Sequence, residues 1–100
     1  MVKHIVMLKL KEYDNKGQKL ENALKLKKAL EGLKIYIDEL KYIEVGLNFN
    51  EKPTAYDLVL NTTFNSEDDL EKYRVHPEHK KLLIFLQQVT EDSAVVDYEI

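Results

Sequence analysis

The sequence predicts a single α+β domain of βαββαβ order, built on a four-stranded antiparallel sheet, and three observations carry that prediction. Four stretches alternate apolar and polar residues at the two-residue period of a strand. Two other stretches return apolar residues at helical spacing among lysines and glutamates. Turn-forming residues punctuate the chain between them. The 100 residues fit one domain, 1–100, with one modest core, because a chain of this size buries only about two-thirds of its unfolded surface.

Residues 3 to 12 read as the first strand. Val2, His4, Val6, Leu8 and Leu10 share one face, and Ile5 and Met7 lie on the other. With apolar residues on both faces, the strand belongs in the centre of a sheet. Asp14, Asn15 and Gly17 break the alternation, and Leu20, Ala23, Leu24, Leu30 and Leu33 follow at helical spacing. Gly32 is expected near the end of that helix, with residues 35 to 40 adding a turn. Residues 42 to 49 alternate again, placing Ile43, Val45, Leu47 and Phe49 on one face, and residues 50 to 54 form a hairpin loop. A third strand is expected over 56 to 64, where Leu58, Val59 and Leu60 load both faces.

Ser66 followed by Asp69 resembles a capping box, so a second helix starts there. His76-Pro77 interrupts it, since a residue before proline avoids helical geometry, and Pro77 can open a new helix through Leu82, Leu83, Phe85 and Leu86. Residues 93 to 100 close the chain as a fourth strand. The resulting order is the split βαβ arrangement of ferredoxin-like domains, and right-handed crossovers place the first and third strands centrally. Two helical layers cover only one side of such a sheet. The opposite apolar face needs another cover, and self-association is the simplest one.

Composition narrows the function classes. Hydrophobic residues at 44% and charged residues at 33% are the balance of a folding chain rather than a disordered one. The net charge is −3, and the lysines are scattered among glutamates; nucleic acid is not an expected partner. With no cysteine, a disulfide framework, a thiolate metal site and a cysteine nucleophile are excluded. No apolar run approaches the roughly 18 residues of a membrane span and the first residues do not read as a signal peptide, so the expected partners include no membrane and the expected place is cytoplasmic.

The stretch Tyr73-Arg74-Val75-His76-Pro77-Glu78-His79 concentrates two of the three histidines beside a tyrosine at a helix break. With His76 as cap and Pro77 as first helical residue, His79 lies in the first turn, where the helix dipole favours the neutral imidazole that can accept a proton. A phenol facing the same space supplies the pair that polarises a carbonyl and moves a proton. The structural alternative makes His76 a cap, His79 a satisfied polar contact and Tyr73 a core residue. His4, on an apolar strand face, poses the same choice between core residue and cavity lining. Zinc takes about four convergent ligands, and Pro77 disrupts the face on which His76 and His79 would pair; no metal is expected. No Gly-rich phosphate loop occurs around Gly46 or elsewhere, and no cofactor is expected.

The opening Val2-Lys3-His4-Ile5-Val6, Ile43-Glu44-Val45-Gly46, Tyr56-Asp57-Leu58-Val59, the Tyr73 to His79 stretch and Val95-Val96-Asp97-Tyr98 together resemble the stress-responsive α/β-barrel (Dabb) family, in order and over essentially the whole chain. The resemblance implies a ferredoxin-like fold that dimerises through its sheets into an α+β barrel. It also implies two readings of function. In one, the chain is a stress-responsive homodimer with a small apolar or carbonyl-ligand pocket and no assignable reaction. In the other, the chain resembles a plant polyketide-cyclising branch in which the tyrosine and last histidine of Y-x-x-H-P-x-H perform acid/base aldol chemistry without a cofactor. Tyr73 and His79 match those positions, His4 matches a pocket histidine, and Asp57 is taken at the place of another; with His76 these are the expected pocket residues.

Overall fold

The computed structural model describes residues 1–100, with side chains at every position but 16. The chain forms β1 (Val2–Leu10), α1 (Lys16–Tyr36), β2 (Tyr42–Leu47), β3 (Leu58–Phe64), α2 (Glu67–Val75), α3 (Pro77–Val89) and β4 (Thr90–Glu99). The strands make one antiparallel sheet in the order β2-β3-β1-β4. The fold is ferredoxin-like, and β1 and β3 are central, as their two-sided apolar character requires.

Register decides what faces the helices. Val2 pairs with Phe64, His4 with Thr62, and Leu8 with Leu58, so these residues share one side of the sheet with Val45. That side is buried against the helices through Leu26, Leu30 and Leu33 of α1, Leu70 and Tyr73 of α2, and Leu82 and Val89 of α3. The Lys27 ammonium donates to the Val45 carbonyl at 2.7 Å, which fixes α1 over β2. The other side of the sheet carries Ile5 and Met7 of β1, Val59 of β3 and Val96 and Tyr98 of β4. No helix covers it. Met7, Val59, Val96 and Tyr98 are all exposed.

Several boundaries move from the sequence reading. The first helix does not end near Gly32: it runs through to Tyr36 without a separate turn, and Ile37 and Leu40 pack beneath the following bend. Its Leu20 and Leu24 point to solvent, because the sheet meets the face of Ala23, Leu26, Leu30 and Leu33 instead. The second strand stops at Leu47 and leaves Phe49 almost fully exposed, at 97%. The third begins at Leu58, so the connecting loop is longer than residues 50 to 54. The fourth begins at Thr90, immediately after α3. Thr90 and Asp92 are polar, yet their backbones pair with Leu10 and Lys9 across a register shift, which side-chain pattern does not reveal.

Candidate functional site

The break between α2 and α3 is built by local chemistry. Ser66 caps α2, its hydroxyl accepting from the Asp69 N–H at 3.2 Å, and the helix then carries Leu70 and Tyr73 inward. Pro77 forces His76 into extended geometry, with ψ of 136°, and opens α3 as its first residue. His76 Nδ1 accepts from the Glu78 N–H at 3.1 Å. His76 is therefore a cap, and with Nδ1 accepting, the ring's N–H is on Nε2.

This turn sets His79 against Tyr73, with ring centroids 4.4 Å apart. Tyr73 is wholly buried, packed on Phe64 at 5.0 Å and edge-on to His4 at 6.3 Å. Among the described residues nothing hydrogen-bonds its hydroxyl, and burial pushes the phenol well above its ordinary pKa. The hydroxyl is thus a proton donor at neutral pH with no protein group to donate to. His79 Nδ1 lies 3.1 Å from the Arg74 carbonyl oxygen. Since a carbonyl only accepts, Nδ1 holds the proton and Nε2 keeps the lone pair in the neutral ring. Burial, first, and the charges of His4, Arg74 and His76 hold the His79 pKa below its usual value, against the opposing hydrogen bond to Arg74. The neutral form therefore prevails at pH 7.

His4, mostly buried on β1, is held by Asp97 of β4, the residue directly opposite it in the sheet. Asp97 also accepts from the Arg74 guanidinium at 2.8 Å. Arg74 thus contributes twice, its side chain to Asp97 and its carbonyl to His79. Neither Arg74 nor Asp97 was singled out from the sequence. The available signal was a carboxylate inside the apolar strand Val95-Val96-Asp97-Tyr98, which calls for a cationic or hydrogen-bonding partner.

The structure gathers His4, Tyr73, His76 and His79 around the α2–α3 break but leaves Asp57 apart. Asp57 precedes β3 at the far end of β1, where its carboxylate accepts from the Leu10 N–H at 2.7 Å and pairs with Lys19 of α1 at 3.1 Å. Its anchor Leu10 lies six residues along β1 from His4, roughly 20 Å at the rise of a strand, so Asp57 sits at the opposite end of the sheet from the α2–α3 break. Among the described residues, no group of three or more histidine or acidic side chains converges to hold a metal ion, and no helix is long and apolar enough to cross a membrane.

Comparison with known proteins places this arrangement. An uncharacterized protein of Streptomyces coelicolor is 31% identical over 99 residues, covering 99% of each chain. A crystal structure of a dimeric protein of unknown function with a ferredoxin-like fold, from Bacteroides fragilis, is 37% identical and superposes with a TM-score of 0.90 over 99% of this chain and 95% of that one. A stress-response A/B barrel domain-containing protein of Arabidopsis thaliana is 26% identical over 98% of this chain and 46% of its own length. With the stress responsive A/B barrel domain matching residues 2–100, the whole βαββαβ unit is accounted for, and the chain belongs to that family.

Proposed function

We propose that the chain works as a homodimer joined through the open faces of its sheets, each protomer holding a small apolar or carbonyl-containing ligand between sheet and helices at Tyr73 and His79. The observation that carries the ligand site is the buried Tyr73 hydroxyl without a protein acceptor, beside a histidine whose Nε2 keeps its lone pair. A buried donor left unsatisfied costs stability, and a ligand carbonyl oxygen supplies the missing acceptor. His4, fixed by Asp97, closes the same cluster. The dimer reading rests on the exposed apolar residues Met7, Val59, Val96 and Tyr98 on one sheet face, and on the related Bacteroides fragilis protein, which is described as dimeric.

The tautomer of His79 favours a second reading, acid/base catalysis. His79 Nε2 would take the α-proton of a bound ketone, the C–H electron pair would become a C=C bond as the C=O π pair moves onto oxygen, and the Tyr73 O–H would stabilise the enolate formed. The enolate would then attack a second carbonyl of the same ligand, forming a C–C bond as that C=O π pair becomes an alkoxide, which takes back the proton held on His79.

Native mass spectrometry of the freshly purified protein tests the first reading, because it weighs assembly and retained ligand together. The expected result is a dimer, and a monomer overturns the sheet-to-sheet assembly. Exchange of the α-protons of 2-nonanone in D2O, followed by NMR, separates binding from catalysis. Acceleration that disappears in His79→Ala supports the acid/base reading; ligand-induced shifts at Tyr73 without acceleration support binding alone; neither effect removes the proposed site.

A further inference from the structure

We propose that the groove between α1 and α3 is a second ligand site, independent of the Tyr73 cluster, that takes the free anion of a medium-chain fatty acid. The groove is open along its length and offers about 560 Å³ of space, within the range of pockets that hold small molecules. Its walls are apolar: Ala29, Gly32, Leu33 and Tyr36 on one helix, Leu82 and Phe85 on the other. Its rim is cationic, with Lys25, Lys28 and Lys81 against the single carboxylate of Glu78. Glu78 is already paired with Lys81 at 3.3 Å, and Lys25 with Glu21 at 3.4 Å, while Lys28 has no ion-pair partner among the described residues. An apolar trough under an excess of ammonium groups complements a chain of methylenes ending in a carboxylate.

Gly32 lines the trough and leaves the α1 wall without a side chain at that point. It lies in the interior of the 21-residue α1, where glycine is the least favourable residue short of proline. No packing against a neighbour requires it, since a Cβ built there meets nothing within 4 Å. A bulky side chain at this lining position would take up space in the groove. The groove also lies in the helical layer, on the side of the sheet opposite the proposed dimer face, and stays open to solvent in the assembly.

Isothermal titration of the full chain with octanoate, decanoate and dodecanoate, each below its micellar concentration, tests the proposal. One site per protomer is expected, with affinity rising about fourfold for each added methylene that is buried. Gly32→Leu should fill the trough and weaken dodecanoate at least about tenfold with the circular dichroism spectrum retained, and His79→Ala should leave binding unchanged. Lys28→Glu, an exposed change that does not depend on core folding, should weaken dodecanoate but not decanol. Equal binding of dodecyltrimethylammonium, no saturable heat with any of the acids, or binding that survives Gly32→Leu but disappears in His79→Ala would overturn the proposal; the last result would move the ligand to the Tyr73 site.

Discussion

Replacing Tyr73 by phenylalanine should make the protein more stable while disabling it. The ring is wholly buried against Phe64 and His79, and its hydroxyl has no hydrogen-bond partner among the described residues. Phenylalanine keeps the ring contacts and removes only the stranded hydroxyl, whose burial costs about 1–3 kcal/mol by mutational measure. The gain should appear in urea denaturation of the ligand-free protein at fixed concentration as a higher midpoint with an unchanged slope. In a thermal scan it corresponds to roughly 4–8 °C for each kcal/mol in a domain of this size. An internal control sits on β3: the Thr62 hydroxyl is equally buried but donates to the His4 carbonyl at 2.8 Å, so Thr62→Val should lose about 1 kcal/mol. The two variants are expected to move in opposite directions. Tyr73→Phe should also lose the ketone-induced NMR shifts of the parent. A loss of stability of about 1 kcal/mol or more in Tyr73→Phe would refute the argument, because it would mean that in solution a water or protein group already satisfies the hydroxyl.

The remaining predictions concern charge. Because burial depresses the His79 pKa in the folded state, its contribution to stability is complete above the unfolded value near pH 6.5 and is lost as pH falls through the lower folded value; His79→Gln should flatten that part of the stability–pH profile, and an unaltered profile would show that the ring titrates normally. On the open sheet face, Val96→Asp should bury an unpaired carboxylate in each protomer of the dimer, costing about 3–5 kcal/mol and raising the dimer Kd by at least about 100-fold in analytical ultracentrifugation; an equally tight dimer would place the interface elsewhere. Asp57→Ala should cost about 1–3 kcal/mol by stranding the Leu10 N–H and Lys19, without changing ketone binding; a selective loss of binding would return Asp57 to the pocket.

What the sequence reveals follows from which signals are local. The two-sided apolar character of residues 5 to 8 and 58 to 60 identifies the central strands because apolar side chains on both faces mark a strand away from the sheet edges. The His76-Pro77 break is equally legible, since the steric clash before proline is a nearest-neighbour effect, and the cap and first helical residue fall where it puts them. The ends of α1 and β4 are not. Gly32 reads as a terminator, but glycine only lowers helix propensity, and the packing of Leu33 and Ile37 carries the helix past it. Residues 90 to 92 fall outside the expected strand because Thr90, Glu91 and Asp92 carry no apolar alternation, although the backbones of Thr90 and Asp92 pair with β1. In the candidate site, Tyr73 and His79 are near neighbours in sequence and their juxtaposition is a property of one turn. Asp97 reaches His4 across 93 positions, and only the strand register joins them.

That last pairing has a consequence for how the molecule forms. β1 lies between β3 and β4, so its two neighbours are the third and fourth strands in chain order. The Met1 carbonyl even accepts from the Ile100 N–H, so the two ends of the chain close on each other. Contacts of such large sequence separation raise the loop-closure entropy to be met before the sheet is complete, and they slow folding relative to helical chains of the same length. On the ribosome, β1 can find β3 while β4 is still in the exit tunnel, but its other edge stays unpaired until residues 90–99 have emerged. The imidazole of His4 therefore acquires its carboxylate only once β4 has been made and has docked beside β1.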